Sequence, residues 1–130
     1  MKRLKVSDRA TSEAPVAAEA IRDLRRRLSG DPDRPISQQR FSQLLGVALS
    51  TVARWESGGT PDPQTAKKLV ALSQALNILG VMVRPEHRLA FFEQHHPLLL
   101  GMRPIDLLGS ESGAKQVFRV LEGARSGGFA

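Results

Sequence analysis

Apolar residues recur along most of the chain at the spacing of amphipathic helices. In the first such segment, which begins at Val16, they fall at three- and four-residue steps and so share one buried face. That face is predicted to hold Ala17, Ala20, Ile21, Leu24 and Leu28, and Gly30 ends the helix. No segment of strand length alternates between apolar and polar residues, so the pattern predicts an all-α fold.

Four arginines occupy the other sides of this first helix, namely Arg22, Arg25, Arg26 and Arg27. Like charges clustered on a helix are usually solvated, so we expect these side chains to face solvent and to add to a positive field. Ahead of the helix, residues 1–15 show no apolar period and are predicted to form a flexible basic arm.

Capping residues mark the next three helices. Ser37 is a favourable N-cap for a helix over residues 38–45, and Gly46 stands where glycine commonly ends helices. A third helix is predicted over about residues 48–57. Asp62 followed by proline begins a long fourth helix. Its buried side is predicted to hold Ala66, Leu69, Val70, Leu72, Leu76 and Leu79.

The chain after residue 80 predicts shorter elements. They are an extended connector over residues 81–83, a helix from Pro85, an apolar cluster at residues 98–101, a short helix from Pro104, a turn over 110–113 and a last helix over about 114–125. We therefore divide the chain into the arm, 1–15, a five-helix-like domain, 16–82, and a small helical domain, 83–130.

Composition narrows the function classes. The chain has 130 residues, no cysteine and a net charge of +6, which excludes disulfides and zinc sites built on cysteine and hints at an anionic partner. The charge excess lies before residue 81, because residues 81–130 hold six Lys or Arg and five Asp or Glu. No apolar run approaches the ~20 residues of a membrane span and no secretory signal is evident. A cytoplasmic location is therefore predicted.

Catalytic and metal-binding signatures are absent from the sequence. His87, His95 and His96 are the only histidines, and they fit no usual metal-ligand spacing. There is no glycine-rich phosphate loop and no nucleophile elbow. We therefore predict a protein that is not an enzyme and that needs no metal or cofactor.

The segment 36–58 carries the strongest functional signal, because two short helices meet there at a sharp turn. Such a unit can lay its second helix in the major groove of DNA. At about 100° per residue, with Val52 inward, Ala48 and Trp55 share the buried stripe. Small or hydrogen-bonding residues then face outward: Ser50, Ala53, Arg54 and Ser57, with Leu49 at the flank. Arg54 can donate two hydrogen bonds to guanine or bind phosphate.

This segment resembles the phage-repressor or Xre type of helix-turn-helix protein. The resemblance rests on Gln38, Ser42, Leu45-Gly46-Val47, Thr51-Val52, Arg54-Trp55-Glu56 and Gly58, and it extends over helices from about 16 to 79. It implies that Gln38 binds phosphate and that Leu49, Ser50, Thr51 and Arg54 lie at or near the bases. The family usually has Ser or Thr where this chain has Ala48, and the missing cap costs about 1 kcal/mol.

Residues 86–127 are similar to the C-terminal toxin-binding domain of the Xre/MbcA/ParS antitoxins. The matching residues are the run from Pro97 to Leu108, then Gly113, Val117, Leu121 and Gly123. The resemblance implies a type II antitoxin in which residues 83–130 are the toxin-binding and dimerisation region. Such a protein forms a homodimer, represses its operon through operator DNA and binds a RES-domain toxin, a class that depletes NAD. Candidate toxin contacts are Glu111, Arg119, Glu122, Arg125 and Phe129.

Two other interpretations stay open at this point. The chain can be a stand-alone Xre-family repressor whose C-terminal half dimerises or senses a ligand. It can also be an antitoxin whose helix-turn-helix is only a scaffold, an alternative that the missing cap at Ala48 keeps open. An adjacent, cotranscribed gene for a partner protein would favour the antitoxin.

Overall fold

The computed structural model describes residues 18–127, and its regular structure there is helical. Seven α-helices follow one another: α1 over 18–29, α2 Gln38–Leu45, α3 Leu49–Glu56, α4 Pro63–Leu79, α5 Arg88–Glu93, α6 Pro104–Leu107 and α7 Glu111–Arg125. Short 3-10 turns precede α5 at Pro85–His87 and α6 at Pro97–Leu99. Within the described residues the only β-type pairing is an isolated bridge between His96 and Met102. The prediction of an all-α fold is confirmed.

The caps that the sequence predicted around α2 and α4 form as expected. The Ser37 hydroxyl accepts a hydrogen bond from the Arg40 amide at 3.0 Å, and Gly46 adopts a left-handed φ of 73° that ends α2. At α4, the Asp62 carboxylate accepts from both the amide and the hydroxyl of Thr65, and these bonds lower the pKa of Asp62. Capping chemistry therefore sets where the two helices begin.

One continuous hydrophobic core joins all seven helices. Trp55 and Phe41 are its largest members from the first half of the chain, and Phe92 and Ile105 are large members from the second. Helix α7 packs against α4, and the Gln64 amide donates to the Gly109 carbonyl at 2.7 Å. The domain boundary at residues 82 and 83 stays a prediction, and the core extends across it.

Two predictions about buried helix faces are wrong in detail. On α1, Ala18 is buried and Ala20 is exposed, because the buried face is centred near Ile21 and Leu28 and Ala20 lies about 100° around the helix from Ile21. Ala17 lies outside the described residues. On α4, Val70 is 57% exposed. Val70 lies about 160° around the helix from Leu72, so it points away from the core that Leu72 occupies.

Three predictions about the second half also need correction. Residues 81–83 form a turn, because the Met82 and Val83 amides both donate to the Leu79 carbonyl at 3.0 Å. Helix α7 begins at Glu111, three residues earlier than predicted, since Ser110 caps it. The predicted apolar cluster at 98–101 does not form, because Leu99 is buried but Leu98 and Leu100 are exposed.

Within residues 18–127, no helix is long and apolar enough to span a bilayer.

Candidate nucleic-acid interface

The C-terminal end of α3 is held to α1 by a nearly buried carboxylate. Both oxygens of Glu56 accept from the Arg25 guanidinium at 2.9 Å, and the Glu56 side chain is only 7% exposed. Arg22 adds a hydrogen bond to the Glu56 carbonyl at 3.0 Å. Both bonds come from Arg25 Nη1, and charge-assisted hydrogen bonds are stronger than neutral ones, so this ion pair and the Arg22 bond hold the end of α3 against α1.

The arginine cluster on α1 therefore has a structural role that the sequence did not predict. Besides pairing with Glu56, Arg25 donates from Nε to the Ile36 carbonyl at 2.8 Å. Arg27 donates to the Ser73 hydroxyl at 3.0 Å and to the Asn77 side-chain oxygen at 2.6 Å. The expectation of a solvated basic face is wrong for these side chains, because their donors point into the fold.

The outward face of α3 is polar and small, as the sequence predicted. Val52 and Trp55 are buried, whereas Ser50 and Arg54 are exposed. Leu49 is 46% exposed at the flank, where an apolar group can pack on a thymine methyl. The remaining candidates are half-buried: Thr51 on α3 and Gln38, the first residue of α2. The structure thus brings Leu49, Ser50, Thr51 and Arg54 together on one short helix.

Ala48 was predicted inward, and that prediction is wrong. It is the N-cap of α3, with extended backbone angles, and its side chain is exposed. Helical counting fails there because the residue precedes the helix. No side chain caps the first turn of α3, and its Thr51 amide donates to the Ala48 carbonyl at 3.0 Å. The amides ahead of it, at Leu49 and Ser50, can donate to a phosphate.

Gly59 packs against Arg54, a contact that the sequence analysis did not predict. The Gly59 amide donates to the Arg54 carbonyl at 2.8 Å. A Cβ on Gly59 would lie 2.8 Å from Arg54 Cγ and 2.9 Å from its carbonyl oxygen, so the arginine stem crosses a space that only glycine leaves open. The signal in the sequence was the second glycine of the Gly58-Gly59 pair, which a simple helix stop does not require.

Residues 36–78 match the model of a protein family described as Helix-turn-helix. This match supports the predicted helix-turn-helix of the Xre type in this part of the chain. The match covers α2, α3 and nearly all of α4, and it confirms the predicted DNA-binding unit. No curated protein and no solved structure matches the chain. The roles of Gln38, Leu49, Ser50, Thr51 and Arg54 stay predictions.

The helix-turn-helix is also tied to the second half by polar contacts that the sequence did not reveal. Arg40 on α2 forms an ion pair with Glu93 on α5, and that bond raises the pKa of Arg40. Lys68 on α4 lies 3.5 Å from the Leu45 carbonyl at the end of α2, and burial lowers the pKa of the Lys68 amine. The Asp106 carboxylate on α6 raises the pKa of Lys68 and opposes that shift, while Arg103 lowers it, so charges of the second half act on Lys68.

The candidate toxin contacts lie along the solvent side of α7 and do not form one cluster. Glu111 pairs with Lys115 at 3.7 Å, and Glu122 pairs with Arg125 one turn from the end of the helix. Eleven residues separate the two acids, which is about 16 Å along a helix. Arg119 is exposed between them. Phe129 lies outside the described residues.

Residues 18–127 contain no group of acids and histidines that could hold a metal.

Proposed function

We propose that this chain is the antitoxin of a type II toxin–antitoxin pair. Its helix-turn-helix binds operator DNA as a homodimer and represses the operon. Its second half binds and neutralises a toxin of the RES-domain class in the cytoplasm. Glu111, Arg119, Glu122, Arg125 and Phe129 are candidate contacts for that toxin.

The observation that carries the DNA-binding part is the outward face of α3. Its apolar residues are buried in the core, while Ser50 and Arg54 remain exposed on a helix whose far end is fixed by Glu56. A reading helix needs this combination, because small residues permit close approach to base edges and a fixed axis sets the register. The uncapped first turn of α3 adds amide donors for the phosphate backbone.

The antitoxin part is supported by an exposed apolar turn within the segment that resembles the toxin-binding domain. We call residues 98–102 the leucine turn. Leu98, Leu100 and Met102 expose 56%, 92% and 44% of their surface there, which is unusual for so short a segment. Exposed apolar side chains that are grouped in this way are typical of protein-contact surfaces.

The backbone of the leucine turn strengthens this argument. Leu100 has a φ of 58° and is the only non-glycine residue with positive φ in residues 18–127. A left-handed conformation costs about 1–2 kcal/mol for a residue with a Cβ. Strain of this kind is commonly retained where a side chain serves binding, because the fold alone would favour Gly or Asn.

Substitution of Arg54 by Ala tests the DNA-binding part. We expect operator affinity in a gel shift to fall by about 1–3 kcal/mol, because a bidentate base contact or a phosphate contact is lost. Wild-type affinity should also fall log-linearly with salt. A suitable control is Arg119→Ala on α7, which removes an exposed arginine far from α3 in the sequence and should leave operator affinity unchanged. Equal binding by the Arg54→Ala variant would remove Arg54 from the interface.

Co-expression with the neighbouring gene tests the antitoxin part. We expect the wild-type chain to abolish the neighbour's toxicity and to copurify with its product, and Leu100→Asp to lose both effects. Val81→Asp is the matched control, because Val81 is also exposed, at 74%, but lies outside the leucine turn. If operator binding persists while the neighbour is neither toxic nor bound, the chain is a stand-alone repressor.

A further inference from the structure

A shallow apolar groove lies between the outer side of α4 and the N-terminal half of α7. Its volume is about 500 Å³. Its floor is apolar and comprises Ala66, Val70, Ala71, Ala114 and Phe118. Its rim is polar and comprises Lys67, Gln74, Glu111 and Lys115. Val70 is 57% exposed, and it belongs neither to the hydrophobic core nor to the outward face of α3.

We propose that a second copy of this chain binds in the α4–α7 groove through a two-fold contact. Val70 and Phe118 form the apolar centre of that contact, and the charged residues of the rim surround it. This is the usual arrangement of a protein interface, in which an apolar centre is enclosed by polar residues. The inference rests on the proposed function and deepens it, because it assigns a surface to the homodimer that operator binding requires. It also gives Glu111 to the dimer contact instead of to the toxin.

The charges of the rim favour a second copy over an unrelated partner. The rim carries cations, Lys67 and Lys115, together with an anion, Glu111, so the same patch holds both signs. A two-fold contact is reciprocal: if Glu111 of one protomer meets Lys67 of its partner, the opposite pair forms as well. The existing Glu111–Lys115 pair is long, at 3.7 Å, and largely exposed, so little is lost when Glu111 changes partner.

The position of the groove on α4 also favours a dimer that reads DNA. Helix α4 is buried against the same core as Trp55 of α3, so a contact through α4 fixes the direction of both reading helices. Helix-turn-helix dimers read two half-sites one turn of DNA apart, which requires a rigid spacing. The leucine turn lies outside the groove lining and stays available to a different protein.

Sedimentation of the full chain in the absence of DNA and toxin tests the proposal. We expect the wild type to form a dimer in the micromolar range, and Val70→Glu to raise its dissociation constant at least about tenfold, because a two-fold axis would bring like charges together. Since Val70 is exposed, the variant should keep its helical circular dichroism. Val81→Glu places the same charge on an exposed valine outside the groove and should remain dimeric.

Charge reversal on the rim gives a second and independent readout. Lys67→Glu and Glu111→Lys should each weaken the dimer by about two- to fivefold, and the double variant should recover wild-type self-association. Recovery requires that the two residues face each other across the interface. Additive loss in the double variant would contradict that pairing and, with it, the proposed contact.

Failure of this inference and failure of the proposed function are distinguishable. A wild-type chain that sediments as a monomer, or a Val70→Glu variant that stays dimeric, overturns the groove contact even if operator binding and toxin neutralisation are intact. If Val70→Glu abolishes toxin binding without changing self-association, the groove serves the toxin and the proposal is also overturned. A dimer that responds to Val70→Glu supports the contact whether or not the chain proves to be an antitoxin.

Discussion

The helix-turn-helix and the leucine turn present opposite chemistry to solvent. On α3, the large apolar residues Val52 and Trp55 are buried and the exposed positions hold Ser50 and Arg54. In the leucine turn, Leu99 is buried and Leu98 and Leu100 are exposed. The difference fits the partners that we propose for the two surfaces. DNA presents phosphates and base edges that are bound by hydrogen bonds and charge, whereas a protein partner is bound largely by desolvation of apolar groups.

The two halves of the chain also differ in what stabilises them. The first half contains a nearly buried ion pair, between Glu56 and Arg25. The ion pairs of α6 and α7 lie at the surface, and the second half relies on close packing, as at Gly113. Four substitutions, in order of decreasing expected effect, test these two comparisons. Two concern what stabilises the halves, and two concern the leucine turn and α3.

The largest effect is expected for Glu56→Ala. It leaves the Arg25 guanidinium, which is 15% exposed, without its carboxylate partner, and breaking a buried pair costs about 3–5 kcal/mol. We expect about 3 kcal/mol in urea unfolding, the low end of that range. The second partner of the carboxylate, Arg22 at 3.6 Å, is 40% exposed and can be solvated once Glu56 is removed. The matched control is Glu122→Ala, whose surface pair with Arg125 should contribute less than about 1 kcal/mol. Similar losses for the two variants would contradict the difference between the halves.

The second effect concerns Gly113→Ala in α7. A Cβ at this position would lie 2.2 Å from the Leu107 carbonyl oxygen and 2.8 Å from the Ser110 hydroxyl that caps the helix. Overpacking of this kind costs about 1–3 kcal/mol, and we expect a value near 2 kcal/mol in thermal or urea unfolding. Gly109→Ala serves as the control, because a Cβ there meets no atom within 4 Å. A Gly113→Ala variant as stable as wild type would show that α7 need not lie this close to the Leu107 carbonyl at the end of α6.

The third substitution, Leu100→Asn, should stabilise the fold while it impairs partner binding. Asn tolerates the left-handed conformation better than Leu. Because Leu100 is 92% exposed, its replacement removes almost no buried apolar surface. We expect the free energy of unfolding to rise by about 1 kcal/mol. The toxin copurification described above should weaken in the same variant. Loss of stability would mean that the leucine serves the fold.

The smallest effect is expected for Ala48→Ser at the N-cap of α3. The added hydroxyl can accept from an amide of the first turn, which should stabilise the protein by about 0.5–1 kcal/mol. The same hydroxyl can donate to a phosphate, so operator affinity should rise in the gel shift. Ala20→Ser, at an exposed position within α1, is a control that adds a hydroxyl away from any N-cap position and from the outward face of α3. If neither stability nor operator affinity changes in Ala48→Ser, the first turn is already satisfied in another way.

Local chemistry along the chain determined much of the fold of the first half. Ser37, Gly46 and Asp62 mark helix ends through hydrogen bonds to neighbouring residues or a backbone conformation suited to glycine, so sequence alone predicted α2 and the start of α4. The stripe containing Val52 and Trp55, together with the spacing around Gly46, identified the helix-turn-helix that the family match supports. The exposed face of α3 followed from the same helical period.

Tertiary structure alone decided which charges are paired and which apolar residues outside α3 stay exposed. Residue spacing cannot reveal that Arg25 meets Glu56 or that Arg40 meets Glu93, because these partners are 31 and 53 residues apart. Nor can an apolar residue be assigned to the core by its type, as Val70 and Leu100 demonstrate. Their exposure depends on how α4 and the leucine turn are packed, and packing depends on all the neighbouring elements at once.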